Sequence, residues 1–209
     1  AAKTCGSAKS QGERVDAAAR GALVCCRWHA PNIHAACVRI FRGMQDNPVT
    51  RTGSAARPDP YARLRSLGLS LPPPPEPKGW YVPVVVANGL AFVSGQLPLR
   101  GGKVAVTGTV GEDVRVEDAR EAARLCLLGV LAALEGAGIG LDRVRRVVKL
   151  TGFVQSAPGF HDQPLVLNAA SELLTELFGD AGRHARAAVG AAALPLDAAV
   201  EIEAVFEVA

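Results

Sequence analysis

The chain has 209 residues, 49% hydrophobic and 21% charged, which is too apolar for a disordered polymer. No apolar run approaches the ~18–20 residues a membrane-spanning helix needs, so the composition reads as that of a soluble globular protein. The net charge of +3 averages two unlike pieces: residues 1–60 carry 9 Lys and Arg against 4 Asp and Glu, and residues 61–209 carry 14 against 16. The second piece therefore offers no net positive field for a nucleic acid, and neither a nucleic-acid nor a membrane partner is expected.

In chain order, residues 1–60 read as leader and linker. Cys5, Cys25, Cys26 and Cys37 fall before residue 44. They form no Cys-x-x-Cys unit, and His29 and His34 stand at no recurring ligand spacing around them, so no metal site is expected. The chain begins Ala1-Ala2 and its one methionine is Met44. Residues 1–43 are either an Arg-rich, acid-poor targeting segment or translated sequence upstream of a start at Met44. The compartment follows from that choice: mitochondrion or plastid in the first case, cytoplasm in the second. Arg27 and His29 interrupt the apolar run Ala22 to Cys26, so no secretory signal is read.

Residues 61–77 are expected to form a short helix, Tyr61 to Leu69 with Leu64 and Leu67 on one face, followed by the proline-rich arm Leu71 to Pro77. A polyproline II stretch of that kind joins neither helix nor sheet and is read as lying on a domain surface.

The domain is expected over residues 78–209. Val82 to Ala87 and Leu90 to Ser94 read as strands joined at Asn88-Gly89, a strong hairpin signal. A third strand is expected from Val104 to Val110. Val116 to Leu134 reads as a helix with early acids and a stripe of Ala122, Leu125, Leu128, Leu131 and Ala133. Gly136-x-Gly138-x-Gly140 follows a helix and leads into the strand Val144 to Val154, so it is a helix stop and not a dinucleotide loop. A second helix runs from Phe160 to Phe178, with Val166, Ala170, Leu173, Leu174 and Leu177 on one face and Gly179 as terminator. Ala185 to Ala192 and Ala199 to Val208 complete the order β-β-β-α-β-α-β-β. This is an α+β mixed sheet with two helices on one face. Its other face needs a cover, which subunit association would supply.

Few residues suggest chemistry. Ser94 lacks a nucleophile elbow, and His161 and His184 form no metal pair. Arg143, Arg145, Arg146 and Lys149 have no interleaved aromatic residues and read as a solvated strand edge. Arg186 is more telling, because it starts a strand of small apolar residues and needs an anionic partner there. That partner is either a structural carboxylate or a bound ligand. Glu201 shares a polar strand face with Glu203 and Glu207.

Taken together, Ser94-Gly95-Gln96-x-Pro98, Ala185-Arg186-x-x-Val189, Leu194-Pro195 and Val200-Glu201-Ile202-Glu203-Ala204 resemble the Rid/YjgF family of enamine and imine deaminases. An older label for this family is L-PSP-type endoribonuclease. The resemblance covers residues 78–209 and implies a chorismate-mutase-like fold, a homotrimer, and small-molecule sites in clefts between subunits. It implies that Arg186 grips the carboxylate of a 2-imino acid, and that Glu201 orients the water that converts it to a 2-oxo acid and ammonia. It also implies that Tyr81, Ser94, Gly95 and Asn168 line the substrate site, with no metal or organic cofactor required. The alternatives are a non-catalytic trimer that binds a carboxylate metabolite and, following the older label, RNA cleavage. The chain departs from many family members in having Trp80 in Gly79-Trp80-Tyr81, Ala188 in place of a cysteine, the insert His161-Asp162-Gln163-Pro164, and Gly182-Arg183-His184 leading to Arg186.

Overall fold

In a computed structural model, which describes residues 58–76 and 79–209, Asn88 and Gly89 both take positive φ, 50° and 76°. That pair of values gives the turn whose twist matches two antiparallel strands. It joins β1 (Val84–Ala87) to β2 (Leu90–Gln96). The expectations for the leader, residues 1–57, lie outside the described residues.

The segment expected as a third long strand behaves differently. Only Leu99–Arg100 (β3) and Lys103–Val104 (β4) pair, as a two-residue hairpin. Beyond them Gly108 turns to φ +107°, which ends any extended run. The chain there bonds to the loop before the last strand instead: Ala199 N–H to Val106 C=O at 3.1 Å and Gly108 N–H to Asp197 C=O at 2.9 Å. Among the described residues the main sheet consequently has five strands.

Helix α2 spans Val116–Gly136 and closes at the glycine-rich stop. Strand β5 spans Val144–Gln155, helix α3 Gln163–Phe178, strand β6 Ala185–Ala191 and strand β7 Val200–Val208. Helix α3 begins three residues later than expected, where Pro164 can occupy the first turn, and ends at Gly179. The sheet order is β1-β2-β7-β5-β6. Only β5 and β6 are parallel, and α3 makes the crossover that a parallel pair requires.

Both helices cover one face of the sheet. Val93, Leu150, Ile202, Ala204 and Phe206 of the strands pack there with Leu127, Leu131, Leu167, Leu173, Leu174 and Leu177. Leu125 of the expected stripe is only half-buried, and Cys126 and Leu127 take the innermost positions of that turn. The opposite face carries the partly or fully exposed Val85, Phe92, Phe153, Val189 and Val205. No helix covers it among the described residues.

Helix α1 is Pro60–Ser66, shorter than expected, with the Asp59 carboxylate accepting from Tyr61 N–H at 2.9 Å. It buries Leu64 but leaves Leu67 exposed; Leu69 and Leu71 pack on the core instead. The Tyr61 hydroxyl donates to Glu135 and accepts from Leu141 N–H. The proline arm, described to Glu76, lies against the end of α2, where a Cβ on Gly136 would collide with Pro74. Of the cations expected on a strand edge, Arg145, Arg146 and Lys149 sit on β5, which is an interior strand, and Arg143 just before it. Arg146 stands opposite Glu207, and Arg143 bonds the Ala209 carbonyl at 2.5 Å. Among the described residues no helix is long and apolar enough to cross a membrane.

Candidate functional site

The sequence-selected residues fall into two groups. The first lies where β2 meets β7. Val93 pairs with Ala204 and Gln96 with Ile202, so Ser94 and Gly95 together oppose the single residue Glu203, a bulge that re-aims the strand end. Gln96 Nε2 closes it by donating to Ser94 C=O at 3.1 Å and Ser94 Oγ at 3.3 Å. Glu201 lays its carboxylate directly over Gly95, and a Cβ there would occupy the same space. Burial holds the Glu201 carboxyl above the ordinary carboxylate range, and the nearby charge of Glu203 pushes the same way.

That packing makes Gly95→Ala a sharp probe. The colliding atoms belong to the flexible end of Glu201, so stability should change little while the carboxylate is forced aside. If Glu201 is the catalytic base, its displacement removes much of the ~10²–10⁴-fold that positioned acid–base help supplies. Steady-state rates beside a thermal melt check this; a fully active Gly95→Ala would show that the carboxylate position does not matter.

The second group lies between β6 and α3. Arg186 Nη1 donates to Asn168 Oδ1 and to Ser171 Oγ, both at 3.0 Å. Ser171 Oγ also lies 3.1 Å from His184 Nε2, and His184 Nδ1 is 2.7 Å from Gly182 C=O. The only partners of Arg186 among the described residues are thus neutral. Among the described residues no structural carboxylate accounts for its charge. Among the described residues its Nη2 and Nε have no partner, and since no buried side-chain nitrogen or oxygen there is left unpaired, they reach the surface of that part of the chain.

Register decides how the groups relate. Arg186 is in line with Leu150 and Ala204, on the face the helices cover, whereas Glu201 is in line with Phe153 and Val189 on the uncovered face. The structure therefore brings Arg186 together with Asn168, and Glu201 with Ser94 and Gly95, but places the two groups on opposite sides of one sheet. Tyr81 joins neither; it is half-exposed just before β1, beside the fully exposed Trp80. Pro83 C=O accepts from Ser94 N–H at 2.9 Å, which ties that approach segment to the bulge.

Ser171 and His184 were not expected as site residues. The signal for Ser171 was present in the spacing, because Asn168 and Ser171 stand three apart on a helix and share a face; His184 precedes β6 by one residue and Arg186 by two.

A sequence model of the family described as "YjgF/chorismate_mutase-like, putative endoribonuclease" matches residues 61–207. Protein TCP17 of Trypanosoma cruzi is 45% identical over 147 residues, covering 70% of this chain and 92% of its own length. The 2-iminobutanoate/2-iminopropanoate deaminase of Salmonella typhimurium is 36% identical over 128 residues, 61% of this chain and 86% of its own. The crystal structure of Atu1372, a protein of unknown function from Agrobacterium tumefaciens, is 44% identical and superposes with a TM-score of 0.68. That match covers 82% of this chain and 99% of the other.

Proposed function

Because this chain belongs to the YjgF/chorismate-mutase-like family and has its α+β fold, we propose that it hydrolyses small 2-imino acids to 2-oxo acids and ammonia. The observation that carries this reading is the Arg186 guanidinium. It is half-buried, fixed through Nη1 by neutral partners, and presents its Nη2–Nε edge to solvent. Such an edge matches a carboxylate in two parallel charge-assisted hydrogen bonds. The 36% identity to an imine deaminase supports the same substrate class.

Arg186 and Glu201 point from opposite faces of one sheet, so a small substrate cannot touch both within a subunit. The site we propose is a cleft between subunits of a homotrimer, pairing Arg186 with Glu201 of the partner subunit. The uncovered apolar face of Val85, Phe92, Val189 and Val205 is the association surface that brings them together. Ser94 and Gly95 border the cleft, Tyr81 lines its mouth and Asn168 orients the arginine.

In that cleft the carboxylate lies on Arg186, which fixes the C2 iminium carbon in place. Glu201 takes a proton from water as its oxygen bonds to C2 and the C=N electron pair moves to nitrogen. Protonated Glu201 then gives that proton to the amine of the carbinolamine. The C–N bond breaks with its electrons, ammonia leaves, and the hydroxyl loses its proton to Glu201 as the C2 carbonyl forms; Glu201 passes that proton, the one the iminium brought, to the departing ammonia or to bulk water and is a carboxylate again. An acid held above the ordinary carboxylate range suits both directions of transfer near neutral pH. The test is ammonia release from freshly generated 2-iminopropanoate. Acceleration over the spontaneous rate is expected, and none at micromolar protein would overturn the reading in favour of a metabolite-binding trimer.

A further inference from the structure

We propose that Ser171 and His184 are positioning residues that lock the Arg186 guanidinium in its carboxylate-receiving orientation. This rests on the reading of Arg186 as the carboxylate anchor.

Hydrogen-bond direction fixes the arrangement. The Gly182 carbonyl can only accept, so at 2.7 Å His184 Nδ1 carries the proton and donates to it. In the neutral imidazole Nε2 is then an acceptor, and the Ser171 hydroxyl hydrogen turns toward it. Burial first and the charge of Arg186 after it favour the neutral ring, and together they outweigh the opposite pull of the bond to Gly182 C=O. With its hydrogen committed to His184, Ser171 Oγ offers its lone pairs to Arg186 Nη1. Asn168 Oδ1 takes the other Nη1 hydrogen. The donation runs one way, from Arg186 through Ser171 and His184 to the Gly182 carbonyl. Both hydrogens of Nη1 are used, and the Nη2–Nε edge alone remains for a ligand. An arginine otherwise loses side-chain freedom on binding; here that freedom is already spent in the free protein.

The experiment is calorimetric titration of pyruvate and of pyruvamide, which lacks the carboxylate, onto the full chain and its variants. Ser171→Ala and His184→Ala should weaken pyruvate by about 3–10-fold and leave pyruvamide within about 2-fold, while Ser171→Thr, which keeps the hydroxyl, restores pyruvate affinity. If Arg186→Ala loses pyruvate but Ser171→Ala and His184→Ala bind it as wild type does, the positioning role is overturned and the carboxylate anchor stands. If Arg186→Ala binds pyruvate as wild type does, the anchor itself is overturned. Equal losses for pyruvate and pyruvamide would mean that the variants act through the fold, and would also overturn the positioning role. Independently of any variant, long-range 1H–15N correlation on the wild-type protein should show His184 protonated on Nδ1, and a ring protonated on Nε2 would overturn the arrangement.

Discussion

Arg186→Ala should lower kcat/KM for 2-imino acid hydrolysis by about 10²–10⁴-fold. Hydrogen bonds to a charged group are worth roughly 1.5–3 kcal/mol each, two are made along the Nη2–Nε edge, and each ~1.4 kcal/mol is a factor of ten. Stability should move far less, because the lost Nη1 bonds to Asn168 and Ser171 lie in a half-buried site where water can replace them. Arg186→Lys keeps the charge but cannot hold Asn168 and Ser171 while presenting a planar two-donor edge, so most of the loss should persist. Ammonia release from 2-iminopropanoate, followed in wild type and both variants with circular dichroism melts alongside, decides the matter; equal rates for wild type and Arg186→Ala would remove the deaminase reading. RNA cleavage makes the opposite demand. It needs phosphate neutralisation, yet residues 61–209 carry 14 basic against 16 acidic side chains.

What the sequence made legible follows from which forces are local. Asn88-Gly89 was readable because few residues accept two successive positive φ values. Helices α2 and α3 were readable because their buried stripes repeat with the helical period, and β7 because Val200, Ile202, Ala204, Phe206 and Val208, all buried, alternate with Glu201, Glu203, Val205 and Glu207. The false third strand came from Val104 to Val110, where Thr107 and Thr109 favour extended backbone but Gly108 between them takes φ +107°. Leu67 was misplaced because α1 stops at Ser66 and the chain reaches the core through Leu69 and Leu71.

The residues of the candidate site were selected by type and not by geometry. Arg186 stood out because a cation among small apolar residues needs a reason. Its partners on α3 lie 15 and 18 positions away and become neighbours only when the β5–α3–β6 crossover closes. The separation of Arg186 from Glu201 depends on two registers at once, the parallel one of β5 with β6 and the antiparallel one of β5 with β7. Neither register is encoded in local spacing. That separation also gives the exposed sheet face its purpose in the proposed trimer: the surface that buries Phe92 and Val189 also completes the site.

Glu201→Gln should lower kcat by about 10²–10⁴-fold and, unlike most changes at partly buried positions, raise the melting temperature at neutral pH. The carboxyl is held above its ordinary range first by burial and then by Glu203, so the folded state disfavours the ionised form. Above the raised folded value this penalty is fully present. As pH falls through that value the folded protein takes up its proton before the unfolded chain does, so the penalty shrinks, and it is gone below about pH 4. Melting curves of wild type and Glu201→Gln should therefore differ most at pH 7–8 and converge on acidification. The same titration sets the acid limb of the rate profile, because water is activated only by the ionised carboxylate. Glu203→Gln removes the second cause of the shift and should move that limb to lower pH without abolishing turnover. A Glu201→Gln variant that keeps wild-type kcat, or an acid limb that stays in place in Glu203→Gln, would take the proton-transfer role away from Glu201.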